Sequence, residues 1–296
     1  AMSMIILLIV LLRYFYVNGI KLINFNILKV YESRYILRNT MFGLLNYLDS
    51  WTYTIIIPFC IICSIYKKQT KLFIFYSSIQ ILLFGLFSHK IILFTIIIII
   101  ALYLMTKYFS KNVLSVPYCF LIANMLCIIF YFYARDKSIY INEIVVWLYH
   151  RVLYTPSQIN FYYYDYYSSR GFEYFSYSFL RHFIDPGSEL APVFQIGLHY
   201  YNNPLTSSNA GFIGSGYMQG GFIVLIVYSL IIGIMINILG NMSKISPKII
   251  IPFMTIPFLR LYISSDLPTT LLTGGLGLAF LLLYLVSTRD IRNIKY

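Results

Sequence analysis

From Ile91 through Thr106 the chain reads IILFTIIIIIALYLMT, with no charge, no proline and no glycine. Inside a bilayer no water is available to satisfy the backbone, so a segment apolar on every face crosses as a helix that bonds to itself. Blocks of the same character recur along the sequence, which is 59% hydrophobic and 11% charged. They follow neither the alternation of a strand nor the heptads of a coiled coil. The chain is therefore expected to be an all-α, polytopic integral membrane protein forming a single transmembrane domain over residues 1–296.

A hydrocarbon core of about 30 Å takes roughly 20 helical residues to cross. Eight spans are expected, at 2–17, 51–66, 72–88, 91–107, 113–133, 211–239, 249–264 and 267–287. The first is the shortest and carries Arg13. It has no basic segment ahead of it and no small-residue cleavage site, so a cleaved signal peptide is not expected.

Charge sets the orientation. Alternate connections hold Lys67, Lys68, Lys71, Lys107, Lys111, Lys244, Lys248, Arg289, Arg292 and Lys295 against the single acid Asp290. By the positive-inside rule these face the cytoplasm. The net charge of +12 is then a topology signal, and with no soluble basic domain a nucleic-acid partner is not expected. The opposite face carries residues 18–50, the Ser88-His89-Lys90 turn, residues 134–210 and the turn around Asp266. All four histidines and every acid except Asp290 fall there. Cys60, Cys63, Cys119 and Cys127 all lie inside expected spans, where they read as packing and not as a disulfide or redox framework.

Two polar stretches need an account. Residues 18–50 mix basic, aromatic and aliphatic side chains at loose helical spacing, as an interfacial helix or an amphipathic connector would. Residues 134–210 are too long for a structureless loop. Ile144, Trp147, Leu148 and Val152 are helically spaced and the pattern stops at Pro156, so two successive helices are expected there. IDPGSELAP and YYNNPLTSSNAG read as turns. The re-entry GFIGSGYMQGGF holds five glycines, which permit close helix packing or an irregular backbone.

The cations Lys90, Arg151 and Arg260 come from different elements on the outer side. Each alone could snorkel to head groups; together they suit a diphosphate, which guanidinium forks bind bidentately. No paired carboxylates, P-loop or dinucleotide fingerprint occur, so an inner-face nucleotide-sugar enzyme is not expected. A donor used at the outer face must be already activated, as a lipid-linked diphosphate sugar is. Its leaving group would be stabilised by cations, and a base for the acceptor hydroxyl is open among His182, His199, Glu173 and Glu189. Tyr162, Tyr163, Tyr164, Tyr166 and Tyr167 suit either sugar stacking or an interfacial aromatic belt.

In chain order, Ser88-His89-Lys90, HRVLYTPSQINFYYYDYYS at 150–168, PVFQIGLHYYNNPLTSSNAGFIGSGYMQGGFIV at 192–224 and SSDLPTTLLTGGL at 264–276 resemble the oligosaccharide repeat unit polymerases. These are the Wzy-type O-antigen and capsule polymerases, and the resemblance runs across residues 85 to 285. It implies a GT-C-like architecture in the bacterial inner membrane and a glycosyltransferase that works without a metal or other cofactor. Such an enzyme elongates undecaprenyl diphosphate-linked oligosaccharide at the periplasmic face, with membrane lipid around it and a chain-length regulator protein as partner. The resemblance gives Arg151 the diphosphate and lines the same cavity with Lys90, Asn209 and Tyr217; Arg181, Arg260 and Tyr163 are further expected substrate-binding residues. Family members carry more spans, so further helices are expected upstream. The rival readings are an O-antigen ligase, which transfers the glycan to a lipid A core, and a transporter of lipid-linked sugars, which would place charges at the centres of several spans.

Overall fold

The computed structural model describes residues 2–18, 22–26, 29–40, 43, 45–108, 121, 125, 128–129, 132–133, 154–178, 180, 183–243 and 247–289. Every regular element among them is a helix. These are α1 Met2–Asn18, α2 Val30–Thr40, α3 Leu45–Tyr66, α4 Thr70–Phe87, α5 Lys90–Tyr108, α6 Thr155–Arg170, α7 Pro192–Tyr201, α8 Phe212–Ser243, α9 Pro247–Ile263, α10 Leu267–Leu271 and α11 Leu276–Arg289. Four of them, α3, α4, α5 and α8, are long and apolar enough to cross a membrane. The apolar stretches of α1 and α11 are shorter.

Two expected spans differ from the structure. The span placed at 51–66 begins at Leu45, because the turns before Trp51 continue into it through a π-helical stretch at Thr52–Ile56. Thr52 and Thr54 there return their hydroxyls to the carbonyls of Leu48 and Ser50, at 2.7 and 2.6 Å, a pattern that loosens a helix locally. The span placed at 267–287 is broken: α10 ends at Leu271 and α11 starts at Leu276, with Gly275 at φ +78 between them. Residues 113–133 lie almost wholly outside the described residues, as does the expected helix through Ile144 and Val152.

Contacts group the chain into two compact units. The first comprises the described residues of 1–108, 238–258 and 268–296. Its centre is α3, whose Ile55, Ile57, Ile61 and Ile62 are fully buried. Trp51 donates its indole N–H to the Leu272 carbonyl at 2.7 Å, and the Gly275 backbone lies so close to Ile55 and Trp51 that a Cβ would stand 2.6 Å from Ile55. Of the stretch 18–50, expected as an interfacial helix or an amphipathic connector, the described residues of 22–40 bond back to this unit: the Asn24 amide bonds the Gly85 carbonyl at 2.8 Å and Arg34 Nε donates to the Ser88 carbonyl at 2.9 Å. The second unit comprises the described residues of 109–237 and 259–267, and holds most of the candidate site.

Candidate functional site

The tyrosine-rich helix α6 orders the second unit. Pro156 stands in its first turn, where the missing N–H costs nothing, and Gly171 at φ +87 follows its last residue. Helical phase then sorts residues that look equivalent in the sequence. Ile159, Tyr163, Tyr166 and Tyr167 fall on one face and are buried, whereas Phe161, Tyr164 and Asp165 are exposed. The Tyr163 hydroxyl donates to the Ser208 carbonyl at 3.1 Å and the Tyr166 hydroxyl to Gln195 Oε1 at 3.1 Å. Arg170 lies over the Tyr166 ring at 4.3 Å and donates to its hydroxyl at 2.8 Å.

On the open side of α6, Tyr162 stacks on Tyr200 of α7, with ring centroids 4.0 Å apart and planes 6° from parallel. Tyr201 meets the edge of Tyr162, and the Tyr200 hydroxyl donates to Asp165 Oδ2. Partial burial and the Asp165 carboxylate together push the Tyr200 phenol well above its ordinary range. His199 is exposed beside this pair, edge-on to Tyr200 at 4.7 Å and to Tyr166 at 5.4 Å. The result is a ledge of rings, hydroxyls, one carboxylate and one imidazole.

The described residues of 171–190 belong to the same unit. The Glu173 amide bonds the Met218 carbonyl at 2.9 Å, and Glu173 Oε2 accepts from the Ser176 hydroxyl at 3.0 Å. Gln219 Oε1 accepts from the Phe175 amide at 2.6 Å. Tyr177 donates to the Ser188 carbonyl, and its oxygen accepts from Gln195 Nε2 at 3.1 Å. Gln195, which no motif singled out, thus ties α6, α7 and this segment together.

The five-glycine re-entry supplies both features its composition allows. Gly211 and Gly214 are contact points: a Cβ on Gly211 would stand 1.9 Å from the Tyr262 carbonyl oxygen, and one on Gly214 would stand 2.8 Å from Asn160 Oδ1. The Gly214 amide uses that proximity to bond Asn160 Oδ1 at 3.1 Å. Gly220 and Gly221 depart from helical geometry, with Gly221 at φ +64 against the Phe172 ring, and they interrupt α8.

The expected site residues divide as follows. Arg151, Arg181 and His182 lie outside the described residues. Tyr163, Glu173, His199, Asn209, Tyr217 and Arg260 belong to the second unit and Lys90 to the first. Tyr163 is 1% exposed and spends its hydroxyl on backbone. Tyr217 is 8% exposed among the rings of Tyr164, Phe172 and Phe222. Asn209 is exposed and Arg260 half-buried in the last turn of α9. Lys90 opens α5 after the Ser88-His89 turn, in which Ser88 takes a left-handed φ of 53° and its carbonyl accepts from Arg34 Nε.

The sequence reading overlooked Asp165, Tyr200, Gln195 and Arg34. Asp165 sits in view within YYYDYY and Tyr200 follows His199, but only the apposition of α6 with α7 makes them a pair. No family model, no curated protein and no solved structure matches the chain.

Proposed function

We propose that this chain is an oligosaccharide repeat unit polymerase, a glycosyltransferase that joins undecaprenyl diphosphate-linked units at the periplasmic face of the bacterial inner membrane. The observation that carries the reading is the ledge on α6 and α7. Stacked Tyr162 and Tyr200, Tyr201, Asp165 and His199 form an aromatic and hydrogen-bonding surface of the kind that sugar rings and hydroxyls engage. It accompanies helices long and apolar enough to hold a lipid carrier alongside. In this reading the full chain has about eight spans and residues 134–210 lie outside the cytoplasm.

Catalysis then needs little from the protein beyond placement and charge. The donor sugar arrives already bonded to a diphosphate, and cations hold the leaving group as its negative charge develops. Arg151 takes that role, with Arg260 as a further cation. His182, His199, Glu173 and Glu189 remain the candidates for the base that takes the acceptor hydroxyl's proton.

The test is to supply the purified full-length protein with undecaprenyl diphosphate-linked repeat units and to resolve the products by size. A ladder is expected. Arg151→Ala should abolish it while membrane insertion persists, and Arg151→Lys should restore little, since an ammonium cannot reproduce the bidentate fork. Normal polymer from Arg151→Ala would remove Arg151 from the mechanism. Transfer that occurs only after a lipid A core is added would make the protein a ligase, and substrate left unchanged in both reactions by folded protein would favour the transporter.

A further inference from the structure

Phe161 is the most exposed aromatic side chain of α6, at 72%, and the ledge makes no use of it. Tyr164 is exposed three residues further on, on the same side of the helix. Tyr162 and Tyr164 stand about 200° apart around the helix axis, so the stack with Tyr200 occupies one flank of α6 and Tyr164 the other. On this second flank Tyr164 meets Tyr217 at 4.9 Å and Phe222 at 6.3 Å between ring centroids, Tyr217 meets Phe172 at 5.6 Å, and Phe172 meets Tyr174 at 6.1 Å. The arrangement is fixed by backbone. The Glu173 amide bonds the Met218 carbonyl and the Phe175 amide bonds Gln219 Oε1, while Tyr174 and Phe175 both hold a left-handed φ, 46° and 64°, which bulky side chains rarely adopt. So held, the Tyr174 ring is still exposed.

Phe222 belongs to this cluster and also begins the uninterrupted part of α8, just past the break at Gly220-Gly221. Beyond it Ile223, Ile226, Leu230 and Ile234 recur at helical spacing and are exposed, in a helix long and apolar enough to cross a membrane. The exposed rings and the apolar face of α8 therefore form one continuous surface, with the rings at the end of the crossing segment.

We infer that Phe161, Tyr164, Tyr174 and Phe222 form a lipid-contacting surface seated in the head-group layer of the bilayer. Continuity with the apolar face of α8 selects lipid as the occupant, and the chemistry agrees. A tyrosine at that level sets its ring among the upper acyl carbons and its hydroxyl among the head groups, whereas water gains nothing from rings displayed in this way. The two expectations for the tyrosine run, sugar stacking and an interfacial aromatic belt, are then both met, by opposite flanks of one helix. A helix is about 10 Å across, so the ledge stands close beside the head groups, at the height where any lipid-borne head group is presented. The inference holds whatever reaction the ledge serves.

The test uses the full-length protein in phospholipid vesicles, with its native cysteines replaced and a nitroxide attached to one introduced cysteine at a time: Phe161→Cys, Tyr164→Cys, Ile223→Cys or His199→Cys. Oxygen concentrates in lipid and a nickel chelate in water, so the ratio of their collision rates with the nitroxide reports the solvent around it. Oxygen should dominate at 161, 164 and 223, with a smaller excess at 161 and 164 than at 223, and nickel should dominate at 199. Nickel in excess at both 161 and 164 would overturn the inference by placing that flank in water. Weak collision with both reagents there would overturn it as well, since a protein surface such as a second copy would then cover the flank. Nickel in excess at 223 would remove its premise, that the apolar face of α8 meets lipid. Each labelled side chain is exposed, so the core is left intact, and if one of the variants at 161 and 164 fails to fold the other decides. Polymer formation enters none of these outcomes, so a failure of this inference and a failure of the polymerase reading are told apart.

Discussion

Arg13 is a cation within the apolar helix α1. It sits among Leu11, Leu12 and Tyr14 in an apolar helix, and a cation there is tolerated only where it meets a partner. The partner is Asp49, which bonds one guanidinium nitrogen, while Asn46 Oδ1 accepts from the other at 2.7 Å. Both charged side chains are close to buried, at 11% and 7% exposure. Removing one member of such a pair strands the other, so Arg13→Ala should destabilise the protein by about 3 kcal/mol, and Asp49→Ala by a similar amount. The double exchange Arg13→Met with Asp49→Leu should recover most of that loss. Thermal unfolding in detergent measures all three, and a double variant no better than the singles would refute the pairing. Gly211 makes an equally local prediction. Its Cβ would collide with the backbone carbonyl of Tyr262, which cannot rotate away as a side chain can, so Gly211→Ala should cost about 3 kcal/mol in the same measurement.

At the scale of the element, α6 and α8 show how periodicity becomes function. In α6 the run Tyr162-Tyr163-Tyr164 sends one ring to the stack with Tyr200, one into the core and one to the exposed side against Tyr217. Composition could register the tyrosines but not their division, because the division depends on which face meets α7 and α8. In α8 the break at Gly220-Gly221 leaves residues 222–243 as an uninterrupted helix, about 33 Å long at 1.5 Å per residue and enough for a hydrocarbon core. Gly221 holds a backbone geometry open to glycine and little else, and a Cβ there would stand 2.8 Å from the Phe172 ring. Gly221→Ala should therefore destabilise by about 2 kcal/mol. Pairing it with Phe172→Ala relieves the collision but not the strain, so recovery should be partial. Full recovery would mean that the backbone geometry carries no cost.

At the scale of the molecule, the charge pattern makes a topology prediction independent of any enzymatic role. Lys67 and Lys68 stand in the connection between α3 and α4 and Lys71 in the first turn of α4, whereas the α4 to α5 connection is Ser88-His89. In a functional variant with its native cysteines replaced, a cysteine at position 69 should react with an impermeant maleimide only after the membrane is opened. One at position 89 should react in intact spheroplasts. The reverse pattern would overturn the expected orientation of α4 and α5, a premise of the polymerase reading.

The apolar blocks by themselves determined helices, because a backbone in lipid must satisfy its own hydrogen bonds and a stretch such as 91–106 has no other way to do so. Pro156 and the turn-forming clusters near 186 and 204 likewise marked the limits of α6 and α7, since proline and glycine act through local backbone geometry. Tertiary structure alone decided which residues meet. That Asp49 lies within α3 and compensates Arg13, and that Asp165 belongs with Tyr200, depend on helices separated by tens of residues coming into register. Local propensity carries no information about that register, which packing sets by burying one face of each helix and leaving the other for chemistry.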